Sequence, residues 1–157
     1  MSPMTRYQKI LVPLDGSGWS QRALPHAVDI AMSNKSELIL LSIFSAPAQT
    51  YTSELALAGQ QSALDELRQS RILYLSGLCN ELRESGITTQ YEVVDGSDAA
   101  ASICNYVRAS NIDLVVMSTH GRTGLARMIF GSVARAVMEC AQVPTLLVHP
   151  DKETVTP

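Results

Sequence analysis

Short apolar runs alternate with longer amphipathic segments along this chain, and the two periodicities predict different elements. The runs Ile10 to Leu14, Leu38 to Phe44, Tyr91 to Val94, Leu114 to Met117 and Thr145 to Val148 read as β-strands. In three of them, Ile10-Leu11-Val12, Leu38-Ile39-Leu40-Leu41 and Leu114-Val115-Val116-Met117, apolar residues stand at consecutive positions instead of alternating. Strands buried on both faces of a parallel sheet have this pattern, so helices are expected on both sides.

The intervening segments meet that demand. Ser20 to Ser33 places Leu24, Ala27, Val28, Ala31 and Met32 at helical spacing, with Pro25 early enough to cost only a mild bend. Ser62 to Ser85 sets Leu64, Leu67, Leu75, Leu78 and Leu82 on one stripe, followed by Gly86 as a C-terminal cap. Ala99 to Ala109 carries Ile103, Tyr106 and Val107, and Ser132 to Ala141 carries Val133, Val137, Met138 and Ala141. Alternation of strand and helix with right-handed crossovers predicts an α/β fold, a doubly wound five-stranded parallel sheet with helices on both faces.

Strand order is not dictated by one sequence. The order 3-2-1-4-5 would reverse the chain's direction between strands one and four and put a ligand crevice beyond their carboxyl ends. The loops to inspect are then Pro13 to Ser20 and Ser118 to Ser132. The stretch Ser45 to Gln61, rich in Ala, Ser, Thr and Gln, reads as a lid or as an extended helix start. Residues 1–150 read as one domain without internal repeats, and Asp151 to Pro157 as a fraying tail.

Composition narrows the ligand classes. At 157 residues and 46% hydrophobic content the chain supplies one continuous core. Its formal net charge of -3 argues against non-specific nucleic-acid binding, which needs a surplus of Lys and Arg, so any phosphate site must be local. Cys79, Cys104 and Cys140 show no metal-ligand spacing and fall in apolar helical stretches, which predicts buried free thiols in a reducing compartment. Met1 to Tyr7 has no signal-peptide core, and no stretch approaches the ~20 apolar residues of a spanning helix. A soluble cytoplasmic protein without membrane or nucleic-acid partners is the expectation.

The informative segment runs from Ser118 through Gly121, Arg122, Gly124 and Arg127 to Gly131 and Ser132, leaving a buried strand and entering a helix. Gly121 and Gly124 permit close backbone approach, while Gly131 and Ser132 open a helix whose unpaired N–H groups and dipole attract anions. Ser132 is suited to cap that helix or to donate to a phosphate, and Arg122 and Arg127 to add charge-assisted contacts. His120 lies in the same loop, where shaping the loop is the plainer role and meeting a phosphate the alternative. Asp15 is a carboxylate at the end of a buried strand, and its plainer role is to form the turn Asp15-Gly16-Ser17.

The segment resembles the universal stress protein signature G-x-x-G-x9-G-[ST], with Gly121, Gly131 and Ser132 at the second glycine, third glycine and hydroxyl positions and Ser118 in place of the first glycine. The resemblance extends from about Tyr7 to Pro150, including Val12-Pro13-Leu14-Asp15-Gly16-Ser17 and Val143-Pro144-Thr145-Leu146-Leu147-Val148. It implies an ATP site. Pro13 and Asp15 would contact adenosine, Ile43 the adenine, and Met117, Ser118, Gly121, Arg122, Gly131, Ser132 and Val133 the ribose and phosphates. Asp15 would be available to a Mg²⁺ or Mn²⁺ ion riding on the triphosphate. The resemblance further implies a homodimer paired through the last strand, Thr145 to Val148, covering its edge.

Other nucleotide motifs fail. Gly16-Ser17-Gly18-Trp19-Ser20-Gln21 begins like a dinucleotide fingerprint but has Gln21 for the third glycine, and Ser42 and Ile43 stand where an acidic ribose ligand is required. No G-x4-G-K-[ST] occurs, and His26, His120 and His149 lack zinc spacing. The expected function is an ATP-binding stress or signalling protein that couples occupancy to conformation or assembly, with slow hydrolysis at most. A nucleotide-free dimerisation module and a true ATP hydrolase are the alternatives.

Overall fold

A computed structural model of the chain describes residues 6–45, 54–120 and 131–149, without the side chains of 54–56. The strands are β1 Lys9–Pro13, β2 Glu37–Phe44, β3 Thr89–Asp95, β4 Leu114–Ser118 and β5 Thr145–Val148; the helices are α1 Gly18–Gln21, α2 Leu24–Asn34, α3 Glu54–Glu84, α4 Ala99–Ala109 and α5 Ser132–Cys140. All pairings are parallel and the strand order is β3-β2-β1-β4-β5. The three strands with consecutive apolar residues are the three inner ones, because only they are covered by neighbours on both edges and by helices on both faces.

Alternate residues of these strands feed two cores. Ile10, Val12, Leu38, Leu40, Leu114 and Val116 pack against α2 and α3, while Leu11, Ile39, Leu41, Val115 and Met117 pack against α4 and α5. Burial on both faces fixes the strand register, since a one-residue slip would exchange the two sets.

Several helical expectations change. Ser20 to Ser33 is not one helix: α1 ends at Gln21, and α2 begins at Leu24 with Pro25 in its first turn. Proline there lacks only an N–H that has no intrahelical acceptor, so it starts a helix without bending one. The helix expected from Ser62 starts at Glu54, so the end of the ambiguous Ser45 to Gln61 stretch is a helix start; residues 46–53 lie outside the described residues. Leu67 leaves the buried stripe and is exposed, as are Met32 and Met138, the methionines counted in the patterns of their helices. Gly86 closes α3 as expected, at φ 86°, with Ile87 N–H donating to the Leu82 carbonyl at 3.0 Å.

The expectation of three free thiols is also overturned. Cys79 is free and buried, but Cys104 of α4 and Cys140 of α5 form a disulfide with Cα atoms 6.0 Å apart. Packing α4 against α5 on one sheet face brings together two cysteines that lie 36 residues apart in the chain.

Candidate functional site

The reversal between β1 and β4 leaves a crevice at their carboxyl ends, where the connections diverge to opposite faces of the sheet. The described residues enclose a cavity of about 270 Å³ there. It receives Pro13, Leu14 and Asp15 from the end of β1, Leu41 and Ile43 from β2, and Met117 to His120 from β4 and beyond. Ala99 and Ile103 of α4, Gly131, and Ser132 to Ala134 of α5 close it, with Ser20 beside the β1 loop.

The lining divides by chemistry. Leu41, Ile43, Ile103 and Met117 form an apolar side, and Asp15, Ser118, Thr119, His120 and Ser132 a polar one. Such a partition suits a ligand with a flat apolar part and a polar or charged extension.

Asp15 is held by its own turn. Its Oδ1 accepts from the Ser17 N–H at 2.9 Å and from the Ser17 hydroxyl at 2.5 Å, while its own N–H donates to Ser20 Oγ at 3.2 Å. Gly16 takes φ 88°, a left-handed conformation that glycine adopts without a Cβ penalty. Ser17 caps α1 by accepting from the Ser20 N–H. The turn-forming role therefore coexists with a place in the cavity wall. The Asp15 charge also reaches α3: the Tyr74 phenol is pushed up by burial first and by Asp15 second, with Arg71 opposing.

Thr119 joins the opposite wall to the sheet. Its N–H donates to the Val148 carbonyl at 3.0 Å, and its carbonyl accepts from the Gly131 N–H at 2.6 Å. A Cβ on Gly131 would stand 2.8 Å from that carbonyl oxygen, closer than side chains tolerate. Gly131 is thus required by contact with Thr119. Its N–H is also occupied, which corrects the expectation that it stands unpaired, and Gly131 rather than Ser132 is the N-cap of α5. The N–H groups of Ser132, Val133 and Ala134, in the first turn, have no acceptor within the helix. Thr119 Oγ1 and His120 Nδ1 hydrogen bond at 2.8 Å, and the His120 N–H donates to Ser118 Oγ at 3.3 Å, so the hydroxyl at the first-glycine position organises the backbone after β4.

Of the residues singled out in sequence, Pro13, Asp15, Ile43, Met117, Ser118, His120, Gly131, Ser132 and Val133 meet in this cavity. Gly121 and Arg122, like Gly124 and Arg127, lie outside the described residues. Sequence reasoning missed Ala99 and Ile103, whose signal was only the opening turn of a helix following an edge strand. A second recess of about 540 Å³ lies between Gly16, Phe44 and α3. It is larger, but it borders the end of β2 and α3 instead of the reversal between β1 and β4, and its Arg71 donates to the buried Ser42 hydroxyl. Among the described residues there is no cluster of three or more His, Cys, Asp or Glu suited to a metal, and no helix long and apolar enough to cross a membrane.

Residues 6–149 match the model of the universal stress protein family. A universal stress protein of Methanocaldococcus jannaschii is 31% identical over 156 residues, covering 94% of this chain and 85% of its own length. Among solved structures, universal stress protein UspA from Lactobacillus plantarum superposes with a TM-score of 0.80 at 24% identity, covering 91% of this chain and 98% of that one. A family protein from Arabidopsis thaliana with AMP bound has a TM-score of 0.66 at 18% identity over 95% of each chain. A universal stress protein in complex with cAMP has a TM-score of 0.60 at 23% identity, covering 92% and 98%.

Proposed function

The chain belongs to the universal stress protein family, and from that premise we propose that it binds an adenine nucleotide, ATP foremost, in the cavity between β1 and β4 and reports occupancy through conformation or assembly. The observation that carries this reading is the coincidence in one cavity of an apolar wall and a helix N-terminus at the point where the chain reverses. Family structures with AMP and with cAMP support the choice of adenine nucleotide.

Adenine would lie against Ile43, Leu41 and Met117 beside Pro13, with the ribose toward Asp15 and Ser118. The phosphates would meet the first-turn N–H groups of α5 and the Ser132 hydroxyl, and Gly121 and Arg122 would complete that end. A Mg²⁺ or Mn²⁺ ion would enter on the triphosphate, with Asp15 as its nearest protein carboxylate. Hydrolysis is slow at most in this reading, because Asp15 is held in its turn by Ser17 and His120 is hydrogen-bonded to Thr119. Rapid phosphoryl transfer requires a group positioned to orient the nucleophile.

Assembly as a homodimer would use β5, a sheet edge on which Leu146 is 38% exposed. Pairing two copies of Thr145–Val148 about a two-fold axis would satisfy that edge. Leu146→Glu should then halve the solution mass, and a wild-type monomer at micromolar concentration would rule the pairing out.

The binding claim is tested by extracting nucleotide from the purified protein and by calorimetry with ATP. Co-purifying adenine nucleotide or saturable ATP binding is expected. Absence of both would leave the nucleotide-free module as the better reading. Sustained ADP release that disappears in Asp15→Ala would instead favour the hydrolase.

A further inference from the structure

We propose that Cys104 and Cys140 form a thiol–disulfide switch that locks α5 against α4 and thereby sets the rigidity of the cavity wall. The two helices supply facing parts of that wall, Ala99 and Ile103 from α4 and Ser132 to Ala134 from α5. Cys104 directly follows Ile103, and Cys140 is the last residue of α5. At 1.5 Å per residue, Cys140 lies about 12 Å along the helix from Ser132. Thus α5 is held at its start by the Gly131–Thr119 hydrogen bond and at its end by the disulfide.

Elsewhere the α4–α5 contact is made of small or branched side chains, among them Ala100, Val107, Ala134, Val137 and Ala141. Two thiols need more room than one bridge, because unbonded sulfur atoms keep a van der Waals separation. In a close-packed contact the space must come from side-chain rotation or from movement of α5. Cys104 is 1% exposed and Cys140 is partly exposed, so exchange begins at Cys140.

The chemistry needs a hydroperoxide as oxidant and a dithiol as reductant. The Cys140 thiol ionises, and its thiolate attacks a peroxide oxygen. The O–O bond breaks, and a sulfenic acid forms as hydroxide or alkoxide leaves and takes up the proton that the thiol released. The Cys104 sulfur then attacks the Cys140 sulfur, the S–O bond breaks, and water departs with the Cys104 proton. In reverse, one dithiol sulfur attacks Cys140, releasing the Cys104 thiol, and the second dithiol sulfur resolves the mixed disulfide to free Cys140 and a cyclic disulfide.

The consequence for ligand rests on the nucleotide reading above; the change in α5 does not. Pre-ordering one wall lowers the cost of binding, so oxidised protein should bind more tightly, and nucleotide should protect the bridge from reduction by the same factor. The experiment uses the full chain, peroxide-oxidised or dithiothreitol-reduced, together with Cys140→Ser. Iodoacetamide labelling after denaturation should modify one cysteine in the oxidised protein and all three in the reduced one. Without ligand, amide exchange across α5 should be at least tenfold faster in reduced protein and in Cys140→Ser than in oxidised protein. ATP affinity should fall at least threefold on reduction.

Three labelled cysteines after oxidation, or equal α5 exchange in the two states, would overturn the switch. Equal ATP affinity would overturn its coupling to the cavity. If ATP binds neither form, the nucleotide reading fails, and the ligand-free exchange contrast still decides the switch. Should Cys140→Ser fail to fold, reduced wild-type protein provides the same comparison.

Discussion

The Gly131 amide donates to the Thr119 carbonyl at 2.6 Å, and a Cβ at position 131 would stand 2.8 Å from the same oxygen. Thr119 in turn takes its place in the sheet through Val148. One backbone contact therefore sets where α5 begins relative to the strand ends, and with it the wall formed by Ser132 to Ala134.

Gly131→Ala should displace the start of α5 even though φ at this residue is -68° and suits alanine. Overpacking of this kind costs about 1–3 kcal/mol, so the thermal midpoint should fall together with ATP affinity. Unchanged stability with normal affinity would show that the contact yields freely.

Asp15→Asn keeps an oxygen able to accept from the Ser17 N–H and hydroxyl but removes the charge. ATP affinity should weaken several-fold while the fold persists. The Tyr74 phenol should titrate at lower pH than in wild type, because Asp15 is one of the two causes holding it up. Ultraviolet absorbance at alkaline pH measures this directly; a Tyr74 titration unmoved by the substitution would count against the coupling.

Ser118→Gly restores the residue type of the family signature while removing the hydroxyl that accepts from the His120 N–H. We predict a few-fold gain in ATP affinity from room at the ribose end. A stability loss of about 0.5–1 kcal/mol should accompany it, from glycine within a strand. Weaker binding would mean that the ordering of His120 by Ser118 matters more than space.

Tyr106, whose phenol is pushed up to about 12 by burial first and by its hydrogen bond and proximity to Glu92, should make the protein sensitive to alkali. The folded state holds this proton more tightly than the unfolded one, so its contribution is complete below pH ~10 and disappears as pH rises through the folded value. Tyr106→Phe should flatten the fall in denaturation midpoint across that interval. An equally steep fall in the variant would assign the sensitivity to other groups.

Loss of the Cys104–Cys140 bridge should also lower global stability, since the bridge closes a 36-residue separation. The chain-entropy relation gives about 3–4 kcal/mol for a loop of that size. Urea unfolding of oxidised and reduced protein measures the difference, and coincident midpoints would contradict it.

Much of this molecule was legible in the order of its residues. Consecutive apolar residues in β1, β2 and β4 marked the inner strands, because strands covered on both faces need apolar side chains at every position. Spacing from Ser118 to Ser132 marked one wall of the cavity, since glycines between a buried strand and a helix start are a local pattern. Local pattern also placed α4 and β5 at their observed limits. It misjudged the segment from Ser20 to Ser33, where Pro25 begins a second helix, and the stripe of α3, where Leu67 faces outward.

Tertiary structure alone decided what depends on separate segments meeting. Ala99 and Ile103 joined the cavity because α4 packs beside the end of β2, and the start of a helix after an edge strand does not by itself reveal that contact. Gly131 met Thr119 although the two are distant in the chain, turning an expected anion donor into an occupied one. Cys104 and Cys140, read in sequence as separate buried thiols, became partners because helix packing on a sheet face sets distances that chain spacing does not encode.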